Sequence, residues 1–378
     1  MASAESPILW LKQCWQVAAF AEEINTGLLA RRIAGEAVVL YRIRNKEPIA
    51  LADACAHRHV PLSYGTLVGD EVQCRYHGMR YNSNGICTSV PGQERVPENA
   101  RVRAFPVLER DGLVWIWMGD PDRADVGAIP LVPELNDSKW DVVRGYHHIE
   151  CAPLLIVDNL LDLSHETFVH EDTIGSSAVA ESPVTAEIKD NKRVRVHRYM
   201  SNIEPPPLFV EQRGSAERID RWHTSVYTPP GIIVIESGSK PGNGSVQVPA
   251  QERRIINFVT PETDTTSHYF WCIARNHHLN NPEFSSTLRA RISFTFDQDK
   301  ALLEVQQRSI GTRTDPMSNV TIKVDAGPIQ GRRLLRTLVD HEVEAAAAVD
   351  FPRLSTSIRA ERTRPASVTS TPSTAPTS

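Results

Sequence analysis

The chain has 378 residues, of which 41% are hydrophobic and 23% charged, and its formal net charge is −5. That length leaves room for two domains with cores of useful size. The charge balance excludes the basic footprint of a nucleic-acid binder, and no apolar run reaches the ~18 residues of a membrane span.

Met1 to Ser6 carry neither a basic nor an apolar leader segment, and six cysteines in so long a chain are no disulfide scaffold. A reducing, cytoplasmic setting is expected. Up to about residue 120 the chain reads as short strands: Trp15–Ala18, Ala37–Tyr41 and Gly112–Trp117 are β-branched and aromatic runs. Turn signals at Asn45-Lys46-Glu47-Pro48 and Asn82-Ser83-Asn84-Gly85 separate such runs. Residues 118–140, with Gly119-Asp120-Pro121-Asp122, read as a crossing segment. Beyond it, Arg193–Tyr199, Gly231–Ser237, Arg254–Val259 and His268–Ile273 predict the strands of one antiparallel sheet. From Arg332 to Ala348, Leu334, Leu335, Leu338, Val339 and Val343 recur at helical spacing, so one helix face would pack on that sheet. Ala366 to Ser378 are Ser, Thr, Pro and Ala, the composition of a disordered tail. The expected domains are 8–120, 121–352 and a mostly disordered tail over 353–378.

Two short Cys/His pairs carry the first chemistry: Cys55-Ala56-His57 and Cys74-Arg75-Tyr76-His77. Two thiolates and two imidazoles are the ligand set of a Rieske [2Fe-2S] cluster, one iron on each pair of like ligands. Tetrahedral zinc also accepts Cys₂His₂, but it seldom uses Cys-x-His for the first pair and favours short helical or knuckle modules. Here the pairs stand between strand-like runs. The pattern, with Pro61-Leu62-Ser63-x-Gly65 between the halves and Pro91-Gly92 after them, resembles the Rieske domain of Rieske non-heme iron oxygenases. One departure is His59, where family members often have glycine two residues after the first histidine. It bears on the local turn, not on the ligands, and His59 is read as a surface residue.

The second constellation is Asp158-Asn159-Leu160-Leu161-Asp162-Leu163-Ser164-His165-Glu166-Thr167-Phe168-Val169-His170. On a regular helix His165 and His170 would stand about 140° apart, so a helix end or a π-bulge is needed to bring them together. Asp162, three residues before His165, is expected near the same helix face. Two imidazoles and one carboxylate form the facial triad of oxygen-activating Fe(II) enzymes. The third ligand is expected in the late segment holding Asp297 and Asp299. Asp299 is preferred because it precedes Lys300-Ala301-Leu302-Leu303-Glu304 as the resembled family's ligand precedes its helix; Asp297 is the fallback.

From about Trp15 to Asp350 the chain resembles the oxygenase components of vanillate O-demethylase and related aryl-ether demethylating monooxygenases. Arg198-Tyr199-Met200, Asp220-Arg221-Trp222, Phe258-Val259-Thr260-Pro261 and Tyr269-Phe270-Trp271 add to the likeness. The resemblance implies an α+β protein: an N-terminal all-β Rieske domain, then a helix-grip catalytic domain in which a curved antiparallel sheet wraps a long helix. It implies a homotrimer, in which Asp162 bridges the mononuclear iron and a neighbouring subunit's Rieske histidine, with Asn159 near the iron and Asp158 structural. It implies oxidative O-demethylation of a vanillate-like aromatic acid to a phenol and formaldehyde, using O₂. N-dealkylation or hydroxylation of another aromatic, or plain electron carriage, are the alternatives. The sequence holds no Gly-rich dinucleotide fingerprint, so a separate flavin and ferredoxin reductase is expected to bring electrons from NAD(P)H. Arg58, Arg75 and Arg80, with His59, offer a docking face for an acidic ferredoxin domain. Met200, Phe209, Trp222, Ile235, Tyr269 and Asn276 are candidates to line the substrate pocket. Arg221, His223, Arg275 and His277 are candidates to hold a carboxylate. Cys14, Cys87, Cys151 and Cys272 are read as structural thiols.

Overall fold

The computed structural model describes residues 10–25, 27–44, 46–242, 250–311 and 320–350, without the side chains of 347–350. The tail expected from 353, residues 8 and 9, Asn45 of the expected turn and the side chains of Ala347 and Ala348 lie outside the described residues.

The N-terminal part is all β, as its composition implied. Its strands are β1 (Trp15–Phe20), β2 (Leu29–Ile33), β3 (Glu36–Arg42), β4 (Pro48–Ala52), β5 (Thr66–Val68), β6 (Glu71–Gln73), β7 (Arg80–Tyr81), β8 (Cys87–Ser89), β9 (Ala104–Phe105), β10 (Val107–Arg110) and β11 (Leu113–Trp117). They form three antiparallel sheets, ordered β1-β11-β10, β2-β3-β4-β9 and β5-β6-β7-β8. The crossing segment folds into three single 3₁₀ turns, each opened by Pro or by an Asp capping its own turn.

The C-terminal part begins with β12 (Asp141–Ile149), α1 (Pro153–Leu161), α2 (Glu166–Val169) and α3 (Ser177–Glu181). Then follow β13 (Val184–Lys189), β14 (Arg193–Ile203), α4 (Pro207–Arg213), β15 (Ile219–Thr228), β16 (Ile232–Pro241), β17 (Gln251–Thr263) and β18 (Thr266–Arg275). The long helix α5 (Pro282–Gly311) and α6 (Ala326–Asp350) close the chain. The single antiparallel sheet runs β12-β18-β17-β16-β15-β14-β13, which is the helix-grip arrangement the resemblance implied.

Both faces of this sheet are buried along β17 and β18, which carry apolar residues at successive positions, whereas β14 alternates buried and exposed ones. Along β18, Phe270, Cys272 and Ala274 face the N-terminal domain, while Tyr269, Trp271 and Ile273 face α5. Phe20 meets Phe270 edge-on at 5.5 Å, and Trp115 meets Phe258 likewise at 5.5 Å. Each such aromatic contributes about 1.5–3 kcal/mol by burial, so the two domains share one core. On the other face α5 buries Leu288, Ile292, Thr295, Phe296, Asp299 and Leu303, a stripe at helical spacing. α6 lies beside α1, where Arg332 grips the Asp158 carboxylate through Nε at 2.8 Å; Asp158 is thus a joint between helices.

Trp271 fits under α5 because its partner across the ladder is Gly145. A Cβ there would lie 2.0 Å from the indole. Gly145→Ala is therefore expected to cost about 1–3 kcal/mol through overpacking, read from chemical denaturation. A loss below about 0.5 kcal/mol would contradict this packing.

Candidate metal centres

The two Cys/His loops are built alike. In the first, Cys55 N–H donates to Val60 O and His59 N–H returns to Cys55 O; in the second, Cys74 N–H donates to Met79 O and Gly78 N–H returns to Cys74 O. Each loop buries its sulfur and exposes its imidazole: Cys55 and Cys74 are buried, His57 and His77 exposed. The two rings face each other with centroids 4.7 Å apart. Tyr81 Oη lies 3.1 Å from Cys55 Sγ. Ser63 donates through N and Oγ to the Asp53 carboxylate, both at 2.6 Å, and pins the chain after the first loop. The donor set therefore fits a Rieske cluster: buried thiolates on one side, solvent-edge imidazoles on the other.

The turn holding His59 explains the usual glycine. His59 has φ +58, a left-handed conformation that glycine enters freely and other residues at a cost. The chain keeps the turn and bears that cost, and His59 is exposed, away from ligation. Gly78, at φ +74, does the same job in the second loop and has Pro91 2.9 Å from where a Cβ would stand. Arg58 and Arg75 are exposed beside these loops, whereas Arg80 is half-buried and donates to Gln73.

The second centre forms where α1 ends. Asp162 has φ −116 and ψ 95, which stops the helix, and its carboxylate caps the next turn at Ser164 N (2.9 Å). Leu163–His165 make one 3₁₀ turn, and His170 follows the short α2. The helix end, not a π-bulge, brings the two histidines together. This corrects the expectation that Asp162 and His165 share a helix face. Instead the Asp162 carbonyl accepts from His165 Nδ1 at 2.6 Å, and Gln298 Oε1 accepts from His170 Nδ1 at 2.9 Å. Both rings thus turn Nε2 inward, as metal-binding imidazoles do when their other nitrogen is held.

Asp299 Oδ1 lies 3.3 Å from His165 Nε2 and 3.2 Å from His170 Nε2, and the three ligand atoms fall within 4.8 Å of one another. Asp297, two residues away, points off the buried stripe and meets His147 Nε2 at 3.2 Å. Asn159 Nδ2 reaches Asp299 Oδ1 at 3.1 Å and stands 3.4 Å from His165 Nε2. Burial opposes ionisation of Asp299, yet the two histidines hold its carboxyl well below the usual range. Burial also works to lower His165, but Asp299 outweighs it and pushes the imidazole up to about 9. Two imidazoles and one carboxylate leaving open positions are the donor set for mononuclear Fe(II).

The corner opens into a narrow cavity of about 70 Å³. Leu160, Leu163, Ile235, Ile255, Ile273 and Phe296 give it apolar walls; Arg221, His223 and Arg253 give it polar side chains. Of the expected lining residues, Phe209 and Ile235 are there, as are Arg221 and His223. The others are corrected. Met200 packs in a separate cluster with Val179 and Ile203. Trp222 alternates to the opposite face from its neighbour His223. Tyr269 donates to Asn257 in the core, and Asn276 holds Glu252 N past the strand end. Arg275 is spent on Asp141, at 3.1 Å, and His277 is outside the lining. Glu166, Gln298 and Arg253 were missed. The first two lie in sequence between or beside ligands, a signal that was available; Arg253 had none. All six cysteines are free, and burial pushes Cys151 and Cys272 up to about 12, which keeps them inert.

Residues 14–106 match the Rieske [2Fe-2S] domain and residues 149–341 the vanillate O-demethylase oxygenase C-terminal domain. The chain is 36% identical over 343 residues to a toluene-4-sulfonate monooxygenase system iron–sulfur subunit of Comamonas testosteroni, covering 88% of this chain and 98% of that one. It is 34% identical over 351 residues to a vanillate O-demethylase oxygenase subunit of Pseudomonas sp. strain HR199, covering 90% and 98%. The crystal structure of dicamba monooxygenase bound to 3,6-dichlorosalicylic acid superposes with a TM-score of 0.84 at 30% identity, covering 89% and 99%.

His165→Ala and Asp299→Ala are each expected to lower bound iron by about one atom per chain while keeping the visible absorbance of the cluster; Asp297→Ala should keep both. His57→Ala should bleach the cluster and His59→Gly should not. Metal analysis and absorbance read both sets, and iron loss in Asp297→Ala with retention in Asp299→Ala would reverse the assignment.

Proposed function

The chain belongs to the Rieske non-heme iron oxygenases of the vanillate O-demethylase oxygenase type, and on that premise we propose that it is the terminal oxygenase of a system that O-demethylates a methoxylated aromatic acid. The observation that carries this reading is the convergence of His165, His170 and Asp299 at one corner of an otherwise apolar cavity. Cys55, His57, Cys74 and His77 would hold the [2Fe-2S] cluster and His165, His170 and Asp299 the Fe(II); together these groups would supply the electron transfer and oxygen activation by which one atom of O₂ is inserted into a methyl C–H and the other is reduced to water. The hydroxylated methoxy group is a hemiacetal, which collapses to the phenol and formaldehyde.

The protein's own residues position and shield. Asp162 O and Gln298 Oε1 fix the imidazoles. The leucines, isoleucines and Phe296 of the wall exclude water and take the ring on an apolar surface. Asn159 stays within hydrogen-bond reach of the ligands. Asp162 is assigned as the bridge to the Rieske histidine of a neighbouring subunit in a homotrimer, supported by its direct backbone bond to His165. Electrons are assigned to a separate flavin and ferredoxin reductase using NAD(P)H, since relatives are named as subunits or components of larger systems; exposed Arg58 and Arg75 suit an acidic partner. Six unpaired cysteines fit a cytoplasmic setting. Among the described residues no helix is long and apolar enough to cross a membrane. A second reading, hydroxylation of a methyl group on an arylsulfonate, is favoured by the likeness to the toluene-4-sulfonate system.

With NADH and a flavin–ferredoxin reductase supplied, 4-methoxybenzoates should drive oxygen uptake with one formaldehyde per O₂. Toluene-4-sulfonate consumed to a hydroxymethyl product without formaldehyde would favour the second reading. N-methyl arenes complete the panel, and the absence of substrate-dependent oxygen uptake across it would refute the oxygenase assignment.

A further inference from the structure

Directly paired residues of antiparallel strands project from the same face, and here that rule builds one polar row. Arg198, His223, Ser237, Arg253 and Arg275 stand opposite one another on β14 to β18. His223, Ser237 and Arg253 of this row line the cavity, with Arg221 two residues before His223 on β15. Charge along the row is unevenly matched. Arg275 pairs with Asp141 at 3.1 Å, and Arg221 pairs with Glu166 at 2.9 Å. Among the described residues no carboxylate pairs with Arg253. Yet Arg253 is 7% exposed, and its Nε has no hydrogen-bond partner. Phe209 is flanked by both guanidiniums, with Arg221 Cζ at 4.6 Å from the ring and Arg253 Cζ at 4.9 Å. That fixes the Arg253 fork beside the cavity without neutralising it. Burial first, then the like charges of Arg221 and Arg275, pull its pKa down to about 9; it remains a cation at neutral pH. A buried charge is kept only where a counter-charge arrives.

We propose that Arg253, beside His223 and Ser237 in the cavity wall, is the anchor for the carboxylate or sulfonate of an aryl substrate, held by its planar fork. The proposal rests on the reading of this cavity as the substrate site. A guanidinium presents parallel N–H donors that match two oxyanion oxygens, and either anion satisfies that chemistry. His223 is held neutral by burial and by the neighbouring arginines Arg221 and Arg198, so it adds a hydrogen-bonding group and no further charge.

Calorimetric titration of the iron-loaded protein with benzoate, benzenesulfonate and benzamide tests this without turnover. Benzoate or benzenesulfonate should bind at least tenfold more tightly than neutral benzamide, and the better of the two identifies the anion. Arg253→Gln should abolish that preference while leaving benzamide affinity, cluster absorbance and iron content in place; Arg253→Lys should keep part of it. Should Arg253→Gln not fold, Arg253→Lys and the comparison of probes on the unaltered protein decide. Equal affinity for all three probes, or an undiminished anion preference in either variant, overturns the anchor. Retained anion preference with no formaldehyde from any methoxybenzoate supports the anchor and removes the demethylase reading alone.

Discussion

The chemistry depends on one structural event: α1 stops at Asp162. A helix that ran on through residue 170 would hold His165 and His170 about 140° apart, and no ion could touch both. The extended backbone of Asp162 ends the helix, and its side chain caps the following turn at Ser164. One residue thereby terminates an element, starts the next and, through its carbonyl, orients the first imidazole. The same economy recurs on α5, where Gln298 and Asp299 are adjacent in sequence, one holding His170 from behind and the other facing it. A ligand set drawn from a broken helix and a continuous one is rigid, because both pack into one core on the same face of the sheet and neither can move without unpacking it.

The β17–β18 part of that sheet is buried on both faces. Its outer face makes a common core with β1 and β11 of the Rieske domain, and its inner face carries α5 and the cavity. Some of the polar residues it buries find partners within the core. Thr260 Oγ1 donates across the domain boundary to Val17 O, and Asn257 is satisfied by Ile233 O and Tyr269. Arg253 differs from Arg221 and Arg275 in lining the cavity with no carboxylate paired to it among the described residues.

What the sequence disclosed follows the range of the interactions. The Rieske loops are local: each pair of ligands is fixed by one tight turn, so Cys55, His57, Cys74 and His77 were legible from spacing and order. His165 and His170 were legible for the same reason, and Asp299 only through the likeness of its surroundings to a family pattern. The relation of Asp162 to His165 was misread because helical periodicity was carried past a break set by backbone geometry, which composition does not encode. Pocket residues were the least legible. Phe209 and Ile235 were found and Met200, Trp222, Tyr269 and Asn276 were not, because lining a cavity depends on which face of a strand a residue takes. A single step of register exchanges the faces, as Trp222 and His223 illustrate.

Arg253 shows why such a residue escapes a linear reading and still follows from physics. Nothing near it in sequence suggests a site; its neighbour Arg254 instead reaches Glu134 and Glu252. Only the ladder brings Arg253 beside Ser237 and, one strand further, His223. The cavity lining then combines apolar side chains, the metal ligands and cationic side chains. On the proposed reading, a ring bearing an anionic group and a methyl-bearing group would be oriented by its anion at Arg253, because an apolar wall offers a charge no partner. Specificity of that kind needs no contact with the reacting carbon: fixing the far end of the substrate leaves the near end only one place to go.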